Sequence, residues 1–94
     1  MQTLGQQFDG ECSFVEKACY HAIRNTKLYL DVHLDATARE MVQTWSHRHC
    51  VSRLYSEFFK RFALVFSRPD TLYIEWTCRN PNACIISLMR ELSN

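Results

Sequence analysis

Apolar residues in the first quarter of the chain recur at the spacing of a helix. They form adjacent pairs that recur every four residues: Phe14 and Val15, Ala18 and Cys19, and Ala22 and Ile23. Residues at these spacings share one face of an α-helix. The pattern predicts a helix that begins near Asp9, whose side chain can cap it, and ends at Asn25 or Thr26.

The next nine residues follow a different period. From Lys27 to Asp35, every second residue is apolar, and these residues are Leu28, Leu30, Val32 and Leu34. A period of two is typical of a half-buried β-strand, because successive side chains point to opposite faces. We therefore expect a strand here, with Tyr29, Asp31 and His33 on its outward face.

A second helical pattern runs from Asp35 or Thr37, either of which can cap it, toward Lys60. Its apolar positions are Ala38, Met41, Val42, Trp45, Val51, Leu54, Tyr55, Phe58, Phe59 and Phe62. The polar segment 46–49 interrupts this stripe. It fits either a solvated turn of one long helix or a break between two short helices, and the sequence does not distinguish them.

The last third of the chain predicts a hairpin and a helix. Segments 62–66 and 71–77 flank the loop Ser67-Arg68-Pro69-Asp70, whose residue types favour a turn. Asn80 followed by Pro81 is typical of a helix start, because asparagine caps the helix and proline fits its first position. Ile85, Leu88, Met89 and Leu92 then mark one helix face.

The predicted order is therefore α-β-α(α)-β-β-α. This order is typical of an α+β two-layer sandwich, in which helices cover one face of a three-stranded sheet. The length of 94 residues suits one hydrophobic core, so we expect a single domain over residues 1–94, with residues 1–8 as a flexible terminus.

Composition narrows the class of protein. The chain is 47% hydrophobic and 13% aromatic, which is too apolar for a disordered protein. The uncharged segment 2–8 is half polar, so it predicts neither a signal peptide nor a membrane span, and we expect a cytoplasmic protein. Five cysteines, an odd number without CxxC spacing, predict reduced thiols rather than a disulfide framework.

Gly5 and Gly10 are the two glycines of the chain. Phosphate-binding loops and dinucleotide fingerprints need several glycines, so residues 11–94 cannot supply either device, and we expect no cofactor. The predicted order strand, two helices, two strands, helix is similar to that of the type I KH module, which binds single-stranded nucleic acid through a GXXG loop. Segment 46–49 stands at that position without a glycine, so the similarity covers element order alone.

Candidate chemistry is sparse. Asp31, His33 and Glu75 would lie on outward strand faces, where a carboxylate beside a histidine could support acid–base catalysis or a small-ligand site. His47 and Cys50 share a helix face, but two ligands do not make a zinc site, so we expect no metal.

A basic segment gives a second hypothesis. Its cations, which could follow a nucleic-acid backbone, are Arg48, Arg53, Lys60, Arg61 and Arg68. The helical spacings scatter these charges, so a solvated surface is the simpler interpretation.

The abundance of apolar stripes favours a third hypothesis. We expect a non-enzymatic interaction or regulatory module that forms a homodimer, because a small sheet leaves an edge or a face to cover. Tyr29 and Tyr73 are the candidate interface residues, since tyrosine is enriched at buried contact surfaces. A nucleic-acid-binding protein and a small enzyme or ligand-binding protein are the alternatives.

Overall fold

A computed structural model describes residues 16–94 of the chain, with side chains from residue 20 onward. This part contains four helices and two strands. In chain order they are α1 (Glu16–His33), α2 (Ala36–Ser46), α3 (Val51–Phe62), β1 (Ala63–Ser67), β2 (Leu72–Trp76) and α4 (Pro81–Leu92). The predicted α+β class is confirmed, and the sheet is a two-stranded antiparallel hairpin.

The predicted strand from Lys27 to Asp35 is wrong, because this segment forms the last turns of α1 and the link to α2. The described residues therefore hold a two-stranded sheet instead of the three-stranded one, and the similarity in element order to the KH module is lost. The predicted helix end at Asn25 or Thr26 is also wrong. The Thr26 hydroxyl donates to the Ala22 carbonyl 2.7 Å away, inside the helix. The predicted cap at Asp9 and the predicted flexible terminus 1–8 lie outside the described residues.

The alternation from residue 28 to residue 34 misled the prediction because it also contains a helical spacing. Leu30 and Leu34 lie four apart and are 2% and 5% exposed, whereas Leu28 and Val32 are 54% and 76% exposed. The two leucines on one face of the helix are therefore buried, whereas Leu28 and Val32, on the opposite side, are in contact with solvent.

Two short helices, rather than one long helix, occupy the segment after Asp35. Asp35 caps α2, since its side chain accepts a hydrogen bond from the Ala38 amide at 2.8 Å. Cys50 caps α3 through its sulfur, which accepts from the Arg53 amide at 3.4 Å. The polar segment 46–49 falls at the break between them.

The hairpin and the final helix are confirmed. The hairpin register pairs Ala63 with Trp76 and Ser67 with Leu72. Asn80 caps α4 by accepting a hydrogen bond from the Ala83 amide at 3.2 Å, and Pro81 is the first residue of the helix.

The helices enclose the core, and the hairpin lies at its margin. The core side chains come from all four helices, from the link between α1 and α2 and from the segment after β2: Leu30, Leu34, Ala38, Val42, Leu54, Phe58, Cys78, Ile85, Leu88 and Met89. Two polar contacts align α2 beside α4. The Asp35 amide donates to Asn82 Oδ1 at 3.0 Å, and Trp45 Nε1 donates to Ser93 Oγ at 2.7 Å. These contacts join the two helix starts and the two helix ends, so α2 and α4 run in the same direction.

A disulfide joins Cys78 to Cys84 and closes the connection between β2 and α4. The prediction that the cysteines are reduced is wrong for this pair. The sequence spacing of six gave no recognisable motif, and the helix start at Asn80-Pro81 is what brings the two cysteines together.

Candidate interaction surface

The hairpin presents apolar side chains on both of its faces. Its register places Ala63 with Trp76, Val65 with Ile74 and Ser67 with Leu72 on the inner face, toward the helices. The outer face carries the pairs formed by Leu64 with Glu75 and by Phe66 with Tyr73. A strand with one solvated face normally alternates apolar and polar residues, and β1 does not.

One end of the inner face is attached to the helices by aromatic contacts. The Trp76 ring stacks on Tyr29 of α1 with centroids 4.3 Å apart, and lies 5.8 Å from Phe58 and 6.0 Å from Phe59 of α3. On its other side Tyr29 stacks on His33, at 4.2 Å. Burial raises the pKa of the Tyr29 hydroxyl above its ordinary value. These stacked rings dock the hairpin.

Beyond Trp76 the inner face separates from α1. A hollow of about 480 Å³ opens between β2 and the helix, and its lining includes Leu28, Leu72 and Ile74. Leu28 and Leu72 are more than half exposed. Val32 lies one helical turn after Leu28, on the same side of α1, and extends this apolar surface.

The outer face has no cover among the described residues. Leu64, Phe66 and Tyr73 are each about half exposed, at 48%, 47% and 55%. The rings of Phe66 and Tyr73 are neighbours across the strands, with centroids 6.1 Å apart. Glu75 is the charged side chain of this face.

These exposed residues define what we call the hairpin surface. It consists of Leu28, Val32, Leu64, Val65, Phe66, Leu72 and Tyr73. Of this set, sequence reasoning selected Tyr73 alone. A signal that could have found three of the others is the run Leu64-Val65-Phe66, which offers no polar residue for either face of a strand.

The two predicted interface tyrosines have different surroundings. Tyr29 lies half-buried between His33 and Trp76, where it supports the hairpin from inside. Tyr73 lies on the outer face beside Phe66. The inner and outer faces of the sheet separate them.

The structure does not bring the three candidate acid–base residues together. The Asp31 carboxylate accepts a hydrogen bond from Lys27 Nζ at 2.7 Å, which raises the pKa of the lysine. His33 stacks on Tyr29, and its Nδ1 lies 2.8 Å from the Tyr29 carbonyl oxygen. Glu75 lies on the outer face of the hairpin, away from α1. The shared strand face that motivated this group is therefore absent.

The basic residues are dispersed, and two of them are paired. Arg61 donates from both terminal guanidinium nitrogens to Glu91 of α4, at 2.7 and 2.8 Å. These hydrogen bonds lower the pKa of Glu91 below its ordinary value and raise the pKa of Arg61. Lys60 Nζ lies 3.5 Å from a Glu57 oxygen.

The three other basic candidates lie on separate elements. Arg48 lies in the turn after α2, Arg53 in the first turn of α3, and Arg68 at the hairpin loop. All three are exposed. They do not belong to one element face that could follow a nucleic-acid backbone.

The polar turn between α2 and α3 holds the residues considered for a metal. His49 stacks on Trp45 with centroids 4.6 Å apart, and Cys50 caps α3. Over residues 16–94, no group of three or more His, Cys, Asp or Glu side chains is arranged to hold a metal ion. Within the same residues, no helix combines the length and the apolar character needed to cross a membrane.

A second concave region lies between α2 and α4. This groove, of about 710 Å³, is lined by Met41, Trp45, Ile86 and Met89, with Glu40 and Arg90 among its polar residues. It is open, and Met41 is the large hydrophobic residue on it that stays most exposed, at 40%.

Comparison of the chain with protein-family models, with curated proteins and with solved structures gives no match.

Proposed function

We propose that this protein is a non-enzymatic interaction module that forms a homodimer through the hairpin surface. The observation that carries the proposal is the exposure of apolar side chains on both faces of one small sheet. An isolated two-stranded hairpin is marginally stable in water, and packing on further strands or helices is what stabilises it. Here the helices support the hairpin at the Trp76 end.

The apolar area is of the size that a dimer needs. A large apolar side chain has roughly 150–200 Å² of accessible surface, so seven such residues exposed by about half or more present roughly 600 Å² per copy. A stable interface of standard size buries about 800 Å² per partner. The largest apolar patch on a typical monomer is about 300–600 Å² and is often functional, so the summed exposure on the two faces of the hairpin lies at the upper end of this range.

The alternatives have less support. Pairing of Arg61 with Glu91 and of Lys60 with Glu57 partly neutralises the basic segment that a nucleic-acid-binding function would use. Asp31 and His33 lie on α1 whereas Glu75 lies on the outer face of the hairpin, so the shared strand face behind the hypothesis of a small enzyme is absent. A cytoplasmic location stays a prediction, and the Cys78–Cys84 disulfide gives it no support, because disulfides are commoner in oxidising compartments.

Sedimentation equilibrium from micromolar to submillimolar concentration tests the proposal. We expect a dimer, and we expect Phe66→Ser to weaken it about tenfold or more, because an aromatic side chain at an interface contributes strongly to affinity. Met41→Ser removes an exposed apolar side chain from the groove between α2 and α4, so it is the matched control and should leave the dimer unchanged.

A wild-type chain that stays monomeric over this range contradicts the proposal. Equal weakening by Phe66→Ser and Met41→Ser also contradicts it, since the effect would then not be specific to the hairpin surface. If the chain is a monomer and binds oligonucleotides with an affinity that falls steeply as salt is added, the result supports the nucleic-acid alternative instead.

A further inference from the structure

The outer edge of β1 carries unpaired backbone groups. Two hydrogen bonds bracket the hairpin: the Thr77 amide donates to the Phe62 carbonyl at 2.7 Å, and the Arg68 amide donates to the Thr71 carbonyl at 2.8 Å. Bonded and non-bonded pairs alternate along an antiparallel ladder. In this register the backbone groups of Leu64 and Phe66 therefore form hydrogen bonds with β2. The backbone groups of the alternate residues of β1 point away from β2.

The outward groups belong to Ala63, Val65 and Ser67. The Ala63 amide is used, because it donates to the Phe59 carbonyl and ends α3. This leaves the Ala63 carbonyl and both backbone groups of Val65 and Ser67. Within residues 16–94, β2 is the strand that pairs with β1, so no described strand pairs with this edge.

The edge also lacks the features that keep natural edge strands apart. Proteins protect such edges with lysine, proline, a bulge or an inward-pointing charge. The sequence Ala-Leu-Val-Phe-Ser of β1 contains no charged residue and no proline, and its pairing with β2 runs without a bulge. The other strand, β2, carries Glu75.

We infer that the homodimer forms by antiparallel pairing of β1 with β1 of a second copy, about a two-fold axis at Val65. The inference rests on the proposed function and adds its geometry. The Val65 amide donates to the carbonyl of the partner subunit's Val65, and the symmetric bond forms in return. The Ser67 amide donates to the carbonyl of the partner subunit's Ala63, again reciprocally.

This register uses the free groups of the edge except the Ser67 carbonyl, which stays open to water because the Ala63 amide that would pair with it is already bonded in α3. The two hairpins become one four-stranded sheet. Three or more strands are stable where a two-stranded hairpin is marginal. On the outer face, Leu64 lies across from the partner subunit's Phe66, an apolar pair without like charges. A second copy fits this edge because the strand is complementary to itself when reversed about its central residue.

Proline substitution distinguishes this edge from the other one. Val65→Pro removes an amide that only the dimer uses, and proline is tolerated on an edge strand when its nitrogen faces outward. Ile74→Pro is the matched control, since Ile74 pairs with Val65 and its amide points to the opposite edge. We expect sedimentation to show a loss of affinity of about 100-fold for Val65→Pro and a much smaller change for Ile74→Pro. Circular dichroism should show that both variants fold.

Cysteine cross-linking tests the same register without a change of backbone. Bonded pairs across an antiparallel ladder have Cα atoms about 5.5 Å apart, within the reach of a disulfide. Oxidation of Val65→Cys should therefore give a covalent dimer well above the wild-type background, and Ile74→Cys should not.

The outcomes separate the two proposals. A wild-type monomer overturns the proposed function and this inference together. A dimer that Val65→Pro leaves intact, or in which Val65→Cys does not cross-link, overturns the pairing of β1 strands but keeps the homodimer.

Discussion

Trp76 of β2 lies nearly parallel to Tyr29 of α1, with ring centroids 4.3 Å apart and ring planes inclined by 20°. This contact joins the hairpin to a helix through two residues that lie 47 positions apart in the chain. Because the rest of the hairpin is largely exposed, its position relative to the helices depends on this stack and on the neighbouring rings of Phe58 and Phe59.

Removing the Trp76 ring should therefore destabilise the fold. We expect Trp76→Ala to lower the free energy of unfolding by about 3 kcal/mol, the range found when a large aromatic side chain is deleted from a packed site. Tyr73→Ala removes an aromatic residue from the exposed outer face and should cost less than about 0.5 kcal/mol. Urea denaturation in dilute solution, where the chain is monomeric, measures both values. Equal losses in the two variants would mean that Trp76 does not dock the hairpin.

The disulfide should contribute measurably to stability. A disulfide lowers the conformational entropy of the unfolded chain. For a loop as short as the one between Cys78 and Cys84, this raises the free energy of unfolding by about 2 kcal/mol. We expect the double variant Cys78→Ser/Cys84→Ser to lose about that amount in urea denaturation, with the secondary structure unchanged. Peptide mapping of the wild-type protein without reduction should recover the two cysteines in one linked peptide. Recovery of both as free thiols would contradict the bond.

The ion pair between Arg61 and Glu91 predicts a pH dependence. Hydrogen bonds from Arg61 lower the pKa of Glu91 in the folded state below its ordinary value of 4.5. The stabilisation is therefore present above pH 4.5 and is lost as the pH falls through the folded-state pKa. We expect Glu91→Gln to be slightly less stable than the wild type near neutral pH in low salt, with the difference vanishing in acid.

The control for this pair is Glu40→Gln. Glu40 lines the groove between α2 and α4 and forms no ion pair with any described residue. The difference in stability between Glu40→Gln and the wild type should not show the pH dependence expected for Glu91→Gln. Thermal denaturation across the pH range gives both curves. A Glu91→Gln variant as stable as the wild type at every pH would mean that the ion pair contributes nothing, as many exposed pairs do.

The start of α2 offers a fourth test. Asp35 accepts a hydrogen bond from the Ala38 amide, which would otherwise lack a partner in the first turn. We expect Asp35→Ala to lower the free energy of unfolding by about 1 kcal/mol, and Asp35→Asn to retain most of the stability because asparagine caps equally well. Chemical denaturation of the two variants compares them. A loss shared equally by both would point to the charge of Asp35 rather than to its capping bond.

The sequence signals that proved reliable are local ones. Asp35 and Asn80-Pro81 mark helix starts because each satisfies backbone groups of its own helix, whatever the rest of the fold does. The hairpin loop is similarly local, because proline and neighbouring polar residues favour a turn on their own. The failure from residue 27 to residue 35 has a different cause. There the alternation fits a strand and a helix face equally, and the continuation of α1 decided between them.

For the candidate site, the sequence supplied one of the residues and the wrong context for the others. Tyr73 lies on the exposed outer face as an interface residue would. The exposure of Leu64 and Phe66 depends on which elements the tertiary structure places over the outer face, and none of the described elements lies there. Asp31 and Glu75 appeared to be neighbours only because the segment of Asp31 was predicted to be a strand.

The sequence by itself determined the α+β class, the hairpin turn and the start of α4 at Asn80-Pro81, and it narrowed the cap of α2 to Asp35 or Thr37, because each follows from the conformational preferences of a few adjacent residues. The tertiary structure decided which aliphatic residues are buried, and that no described element covers the outer face of the hairpin or pairs with the β1 edge. Those properties depend on contacts between residues distant in the chain, and a periodic pattern indicates a face without saying what covers it. The hairpin surface is therefore a property of the fold, written in β1 as three successive apolar residues with no polar alternation.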